Sequence, residues 1–320
     1  MITVVKPGLQ TTVQDLGRYG FQRFGVLVNG AMDTYSHRLV NLLVGNEESA
    51  PTLEATIIGP HLRFEIDTII AIGGADLTPA IDGTPIPLWR PHQIRRGQSL
   101  TFGAAKNGCR AYIAVAGGWV VPSVMNSAAT YLRGKLGGFL GRSLQKGDQL
   151  QYGSADNICA CTINTNWRIS DELLPRFHNH AVIQVMRGQH FDLFSKNSQQ
   201  LLFADAFEVT ASSDRMGYRL KGPQLKWTQE SEMLSEAVAF GTIQVPADGH
   251  PIILLADRQT TGGYPKIAQI ASVDFSKIAQ ANPGDKITFK EICHNEAQLQ
   301  FLQIERKLQY VKQGISHKVK

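Results

Sequence analysis

Short runs of about five residues, set between glycines, prolines and polar turns, recur along most of the chain. In the first half, residues 2–5, 11–16, 62–66, 68–72, 86–89, 99–102 and 111–116 have this form. Runs of that length bounded by turn formers suit strands rather than helices. The second half continues with 182–186, one or two strands within 201–210, then 237–245, 252–256 and 286–289. Helical periodicity is confined to three places. GAMDTYSHRLVNLLVGN carries Asp33 as N-cap, a stripe of Tyr35, Leu39, Leu42 and Leu43, and Gly45-Asn46 as a left-handed stop. Residues 274–280 form a short helix, and 294–312 place Leu299, Leu302, Leu308 and Val311 among polar positions. With so few helices between strands, the pattern predicts a mainly β protein whose sheets close into barrels or sandwiches, not βαβ units.

One run ends differently from the others. Residues 252–264 read IILLADRQTTGGY, five apolar positions followed by Asp257, Arg258, Gln259, Thr260 and Thr261 around Gly262-Gly263 and Tyr264. A buried strand that stops in clustered polar groups and glycines is how a ligand site is commonly built, since glycines admit close backbone approach to an anion. The same residues also fit a structural turn in which the aspartate caps loop amides. A second glycine-rich segment, RGKLGGFLGR at 133–142, lacks the Gly-Lys-Ser/Thr ending of a phosphate loop. Arg133, Lys135 and Arg142 could clamp an anion there, or decorate a plain surface loop.

Self-similarity organises these runs. ITVVKPG from Ile2 matches IQVMRGQ from Ile183, and DLGRYG from Asp15 matches SDRMGYR around Asp214. LEATIIGPHLRF matches LSEAVAFGTIQV, setting Glu54 against Glu236 and Gly59 against Gly241. TIIAIGGAD then lies opposite PIILLADRQT, and GQSLTF opposite GDKITF. Five matches in one order predict a duplicated β domain: residues 1–155, a connection at 156–181 that overlaps the weakly patterned stretch 153–170, a second copy at 182–292, and a C-terminal helix with a basic tail at 293–320. In this alignment the first copy's Gly73-Gly74-Ala75-Asp76 is a short bend, which the second copy has elaborated.

Composition narrows the function classes. The chain has 320 residues, 43% hydrophobic and 18% charged, which is globular rather than disordered. No apolar run approaches the roughly 18 residues needed to span a bilayer. The start, MITVVKPGLQ, lacks a basic and apolar leader, so a cytoplasmic location is expected. Of the net charge of +5, residues 302–320 hold +4, because Arg306, Lys307, Lys312, Lys318 and Lys320 face Glu305 alone. A nearly neutral body with a basic tail does not read as a nucleic-acid surface. Of the four cysteines only Cys159 and Cys161 are close in sequence. That pair suits reduced thiols better than a zinc site, which needs four clustered ligands, so no metal is expected. His37, alone within its helix, reads as a packing or surface residue.

The motifs SSDRMGYRLKGP, SEAVAFGTIQVPADGHPIILLADRQTTGGYP, QDLGRYGFQRFGV and GAMD resemble the family of the 5-oxoprolinase C subunit, the KipA-like proteins. That family is similar to the carboxyltransferase domain of biotin-dependent urea carboxylase and has been labelled allophanate hydrolase subunit 2. The resemblance implies two cyclophilin-like β-barrel domains, in agreement with the internal matches; the few short helices and the C-terminal helix of the expected fold come from the hydrophobic pattern. It implies two protein partners, the KipI-like B and LamB/YcsF-like A subunits. It also implies an ATP-dependent opening of the lactam 5-oxo-L-proline to L-glutamate, with ATP and magnesium used in the complex. No Met-Lys-Met sequence occurs, so covalently attached biotin is not expected. The expected site then comprises Asp214, Arg215 and Asp257 as catalytic groups, and Arg219, Gln259, Thr260, Gly262, Gly263 and Tyr264 as substrate-binding groups. Arg18, Arg133 and Arg142 are further anion-binding candidates, with Asp15 beside Arg18. An internal salt bridge pinning a turn is the competing account of the Asp214-Arg215 motif. Two other functions stay open: carboxyl transfer to a urea-like amide, and a non-catalytic role in regulation or binding.

Overall fold

A computed structural model describes residues 1–153, 167–228 and 233–316. The chain forms two compact units, one of residues 1–18, 29–176 and 305–320, the other of residues 19–28 and 177–304. Cys159, Cys161 and most of the weakly patterned connection lie outside the described residues.

Two antiparallel sheets build the first unit. One has five strands in the order Gln10–Gln14, Thr52–Thr56, Asn107–Val115, Thr68–Asp76, Pro91–Ile94. The other, of seven strands, places Ile2–Lys6 beside His61–Phe64 and then Ser99–Phe102. The long strand Thr68–Asp76 is buried on both faces, and the period of two explains its unbroken apolar text. Ile70 and Ile72 face a core with Ile2, Val4, Leu53, Leu62, Phe64, Ile113 and Val115. Ile69 and Ala71 face the other way, onto Leu39, Leu42 and Leu43 of helix α1 (Thr34–Leu43). Asp33 caps α1 by accepting the Ser36 N–H at 3.0 Å, and its own N–H donates to the Tyr112 hydroxyl at 2.8 Å.

The second unit is a closed barrel. Its strands run in the order His180–Arg187, Lys266–Ile270, Thr242–Gln244, Ile252–Leu254, Gly217–Lys221, Ala206–Val209 and Lys286–Glu291. A separate two-stranded ribbon joins Glu236–Ala237 to Thr261–Gly262. Helix α2 (Lys196–Ala204) and the short α3 (Phe275–Ala279) accompany the barrel, and α4 (His294–Ser316) ends the described chain. Ala297 of α4 packs with Ile292 and Ala271 in the second unit; Leu308, Val311 and Ile315 join the α1 cluster of the first. The expectation of a mainly β chain with few short helices and a C-terminal helix holds.

Four local readings change. Residues 86–89 form no strand: prolines at 85, 87 and 91 remove backbone donors, and Trp89 sits at a φ of 62° with its ring over Gly73. The strand follows at Pro91–Ile94. Leu201–Ala204 belongs to α2, which Ser195 caps at the Ser198 N–H, so only Ala206–Val209 is strand. Residues 237–245 divide into two short strands at Gly241, whose φ is 80°. Gly73 and Gly74 lie within the Thr68–Asp76 strand, not in a bend; Gly73 leaves the room that the Trp89 ring occupies.

Candidate functional site

The Asp214-Arg215 motif and the end of the Ile252–Leu254 strand are hydrogen-bonded to each other. Asp214 Oδ1 accepts the N–H groups of Met216 and Gly217 at 2.8 and 3.3 Å, closing a tight turn. Backbone bonds then run from Leu255 N–H to Met216 O (3.0 Å) and from Asp257 N–H to Arg215 O (2.8 Å). Over this frame the Arg215 guanidinium grips Asp257 with two donors, Nε to Oδ2 at 3.0 Å and Nη2 to Oδ1 at 3.1 Å. Both residues are only 5% exposed. The motif spacing therefore serves a buried, two-pronged ion pair that ties the turn to the strand end.

Past Asp257 the chain enters the ribbon. Arg258 donates to Leu255 O at 3.1 Å and to Val238 O at 3.4 Å; burial pushes its guanidinium down, while the Tyr19 hydroxyl favours the cation. Val238 N–H bonds to Thr260 O, and Thr261 and Gly262 pair with Ala237 and Glu236. Gly262 and Gly263 are thus not a left-handed bend. Gly262 instead makes room for the Gln244 side chain, since a Cβ there would lie 2.6 Å from Gln244 Nε2, which donates to Tyr264 O at 3.2 Å. Gln259 and Tyr264 are exposed beside this ribbon.

Three residues that the sequence left unassigned complete the cluster. Lys266, 9% exposed, extends Nζ to Glu236 Oε2 at 2.8 Å and to Ala237 O at 3.1 Å. That contact holds the Glu236 carboxyl below the usual carboxylate range although the side chain is open to solvent. His190 accepts the Lys266 N–H on Nδ1 at 3.2 Å, which leaves its proton on Nε2, 4.0 Å from Glu236 Oε2. Burial lowers the His190 pKa and favours this neutral form. Glu236 had one signal in the sequence, its match to Glu54; Lys266 had only its place at the head of an apolar run, and His190 had none. Together these groups present an ionised, accessible carboxylate with an imidazole N–H 4.0 Å away, beside a ribbon flanked by the exposed Gln259 and Tyr264, a set that can bind a small polar molecule and exchange a proton with it.

The remaining candidates do other things. Arg219 is exposed on its strand, opposite Ile252. In the first unit Arg18 is fully buried and donates to Val124 O, Ala129 O and Asn29 Oδ1 at 3.0, 2.8 and 3.1 Å. Asp15 accepts from Gly17 N–H, Ser127 Oγ and Ala128 N–H. Arg142 is paired through two donors with Asp148 at 2.7 and 2.8 Å, and Arg133 is exposed. Arg18 and Arg142, expected as anion-binding groups, make these internal bonds. Among the described residues no group of three His, Cys, Asp or Glu side chains could hold a metal ion. Arg18, Arg142, Arg215 and Lys266 each bond to an acceptor within the chain.

With two antiparallel sheets, a closed barrel and a polar ribbon at a strand end, the chain is of the mainly β barrel-domain class rather than a parallel α/β protein. The chain belongs to the carboxyltransferase-domain family, subdomain A and B, whose model matches residues 24–291. It is 39% identical to the 5-oxoprolinase C subunit of Haemophilus influenzae over 297 residues, covering 93% of each chain. The Escherichia coli protein of the same name is 38% identical, again with 93% of each chain covered. Urea amidolyase of Saccharomyces cerevisiae is 33% identical over 92% of this chain but only 17% of its own length. Among solved structures, Kluyveromyces lactis urea carboxylase superposes with a TM-score of 0.90 at 31% identity, covering 98% of this chain and 29% of that one.

Proposed function

We propose that this chain is the C subunit of a 5-oxoprolinase that opens 5-oxo-L-proline to L-glutamate at the expense of ATP, working with the KipI-like B and LamB/YcsF-like A subunits. The observation that carries the reading is the end-to-end match, 93% of each chain, with two proteins of that name. In the hydrolysis the lactam C–N bond breaks, the carbonyl carbon takes a hydroxyl from water to become the γ-carboxyl, and the nitrogen takes the proton. An unstrained amide is a poor electrophile, which explains the need for ATP. Because the buried cations of this chain are already paired, nucleotide handling is assigned to the companion subunits.

This chain's share is orientation and proton exchange. Gln259, Thr260 and Tyr264 orient the lactam at the ribbon, and Glu236, kept ionised by Lys266, accepts the proton of the attacking water. His190 Nε2–H steadies that carboxylate. Arg215 and Asp257 are positioning residues that fix the strand end from which the ribbon departs. The test is a mixture of the three purified subunits, assayed for glutamate release from 5-oxoproline with ATP. Turnover that vanishes when this chain is omitted supports the reading; turnover that persists without it overturns it.

One observation favours a second reading, carboxyl transfer to a urea-like amide: the close superposition on K. lactis urea carboxylase. Carboxybiotin would then arrive on another chain or domain, and avidin would stop turnover. A regulatory role follows instead if variants at Glu236 and Tyr264 change no turnover while the complex stays intact.

A further inference from the structure

Residues 124–142 of the first unit contain four non-glycine residues in the left-handed region: Met125 (φ 52°), Asn126 (60°), Lys135 (51°) and Leu140 (57°). Gly137, Gly138 and Gly141 share it, at 66°, 55° and 65°. Such conformations cost stability in a side-chain-bearing residue and persist where surrounding structure over-determines them. Here the surroundings are firm. Arg18, fully buried, ties Val124 O to Ala129 O, and Asp15 binds Ser127 and Ala128. Tyr131 and Leu136 exchange backbone bonds at 2.8 and 3.1 Å, and Gly138 N–H reaches Ala128 O at 3.1 Å. A Cβ at Gly137 would collide with Ala129 O and the Arg18 guanidinium, so residues 131–142 lie directly on residues 124–129. Phe139 packs against the inter-sheet core and beneath Arg142.

The product of this bracing is a tip. Leu140, next to the inward Phe139, is 72% exposed, and Met125 is also exposed. Arg133 and Lys135 are exposed on the same loop. From Val124 to Gly147 the sequence contains Arg133, Lys135, Arg142 and Lys146 and no aspartate or glutamate; the first carboxylate is Asp148, already held by Arg142.

We infer that this braced loop is a docking element for a companion protein of the complex, with Leu140 entering an apolar pocket that acidic side chains rim. This rests on the reading of the chain as one member of a multi-protein enzyme. A rigid, outward leucine meets a partner with little ordering cost, and a central apolar anchor is where binding energy concentrates. With Arg142 taken up by Asp148 and no other carboxylate in the loop, the exposed Lys135 and Lys146 select an acidic rim and oppose a second copy of this chain, whose own tip would bring like charges together. A lipid surface would use the same residue types but has no need of a strained, fixed register.

The variant Leu140→Gly separates docking from folding, because glycine adopts a φ of 57° without strain and an exposed side chain is all that is lost. The chain is mixed with the two companion subunits of its own 5-oxoprolinase, and association is measured by calorimetry alongside a thermal melt. The expected result is an unchanged or raised melting midpoint with binding about tenfold weaker or worse, and a similar loss for Lys135→Glu. Unaltered binding of Leu140→Gly overturns the inference, as does a lowered midpoint, which would assign Leu140 to the fold. Cosedimentation of the wild type, but not Leu140→Gly, with phosphatidylglycerol vesicles would overturn it in favour of lipid. A concentration-dependent dimer lost in Leu140→Gly would overturn it in favour of self-association. If the wild-type chain forms no complex with the companions at all, the reading of it as part of a complex itself fails and the loop loses its occupant.

Discussion

Replacing Arg215 with alanine strips the buried Asp257 carboxylate of a guanidinium held through two donors at 3.0 and 3.1 Å. With both residues at 5% exposure, water cannot restore those bonds without opening the turn. Breaking one side of a buried pair typically costs about 3–5 kcal/mol, most of it the desolvated charge left behind. Against a total stability of about 5–15 kcal/mol the variant stays folded at 25 °C but its melting midpoint falls, by about 2–4 °C per kcal/mol. The assay is urea unfolding of wild type, Arg215→Ala, Asp257→Ala and the double variant Arg215→Met/Asp257→Leu. Removing both charges together into apolar groups should cost less than either alanine alone, because no unpaired charge remains. Turnover in the complex should fall with the folded fraction and with the disorder of the ribbon. The reasoning is refuted if Arg215→Ala loses less than about 1 kcal/mol yet abolishes turnover, since the guanidinium would then act on a ligand and not on Asp257.

Other perturbations probe the remaining parts. His37, fully buried and bonded to Thr52 Oγ1 at 2.9 Å, has its pKa lowered by burial to about 4. The unfolded chain therefore binds a proton that the folded one refuses between the ordinary value and about pH 4. Stability drops by about 3 kcal/mol as pH falls through that window, and urea midpoints of His37→Gln should show a flatter slope there. Lys266→Met removes the cation that depresses the Glu236 pKa, so the acid limb of the pH–rate profile should move to higher pH; an unmoved limb would free Glu236 of the proton-accepting role. Gly262→Ala sets a Cβ 2.6 Å from Gln244 Nε2, and the crowded ribbon should raise KM for 5-oxoproline about tenfold while the barrel's melting midpoint barely changes.

Much of the fold was legible because its determinants are local. The α1 stripe and its Asp33 cap, the short strands, α3 and the C-terminal helix all rest on periodicity and end signals that survive burial. The misreadings share a cause: an apolar run has no direction of its own. LLF at 201–203 looks like strand until Ser195 is seen capping the turn before it, and IPLW at 86–89 looks like strand until its prolines are counted as missing donors. The candidate site could be proposed from the sequence as a region but not as a set of partners. Arg215 and Asp257 are 42 positions apart, and only the barrel brings them together. Lys266 and His190 meet through a backbone bond that no spacing announces.

The internal matches sharpen what distinguishes the two copies. Asp15 and Arg18, matched to the Asp214-Arg215 motif, direct their hydrogen bonds to the first unit's own loops. Glu54, matched to Glu236, is 1% exposed and accepts from Met32 N–H and the Tyr112 hydroxyl at 2.9 and 2.8 Å. Burial drives the Tyr112 pKa upward, so its proton stays on the hydroxyl and the bond to Glu54 is maintained. The second copy keeps a braced arginine but turns its glutamate outward, on a ribbon set apart from the barrel. A carboxylate closed over by its own fold can only hold structure. One held ionised by a buried lysine and open to solvent can meet a substrate, and that difference at Glu236, more than the glycine pair beside it, is the ground on which the strand end at Ile252–Leu254 is proposed as the chemical one.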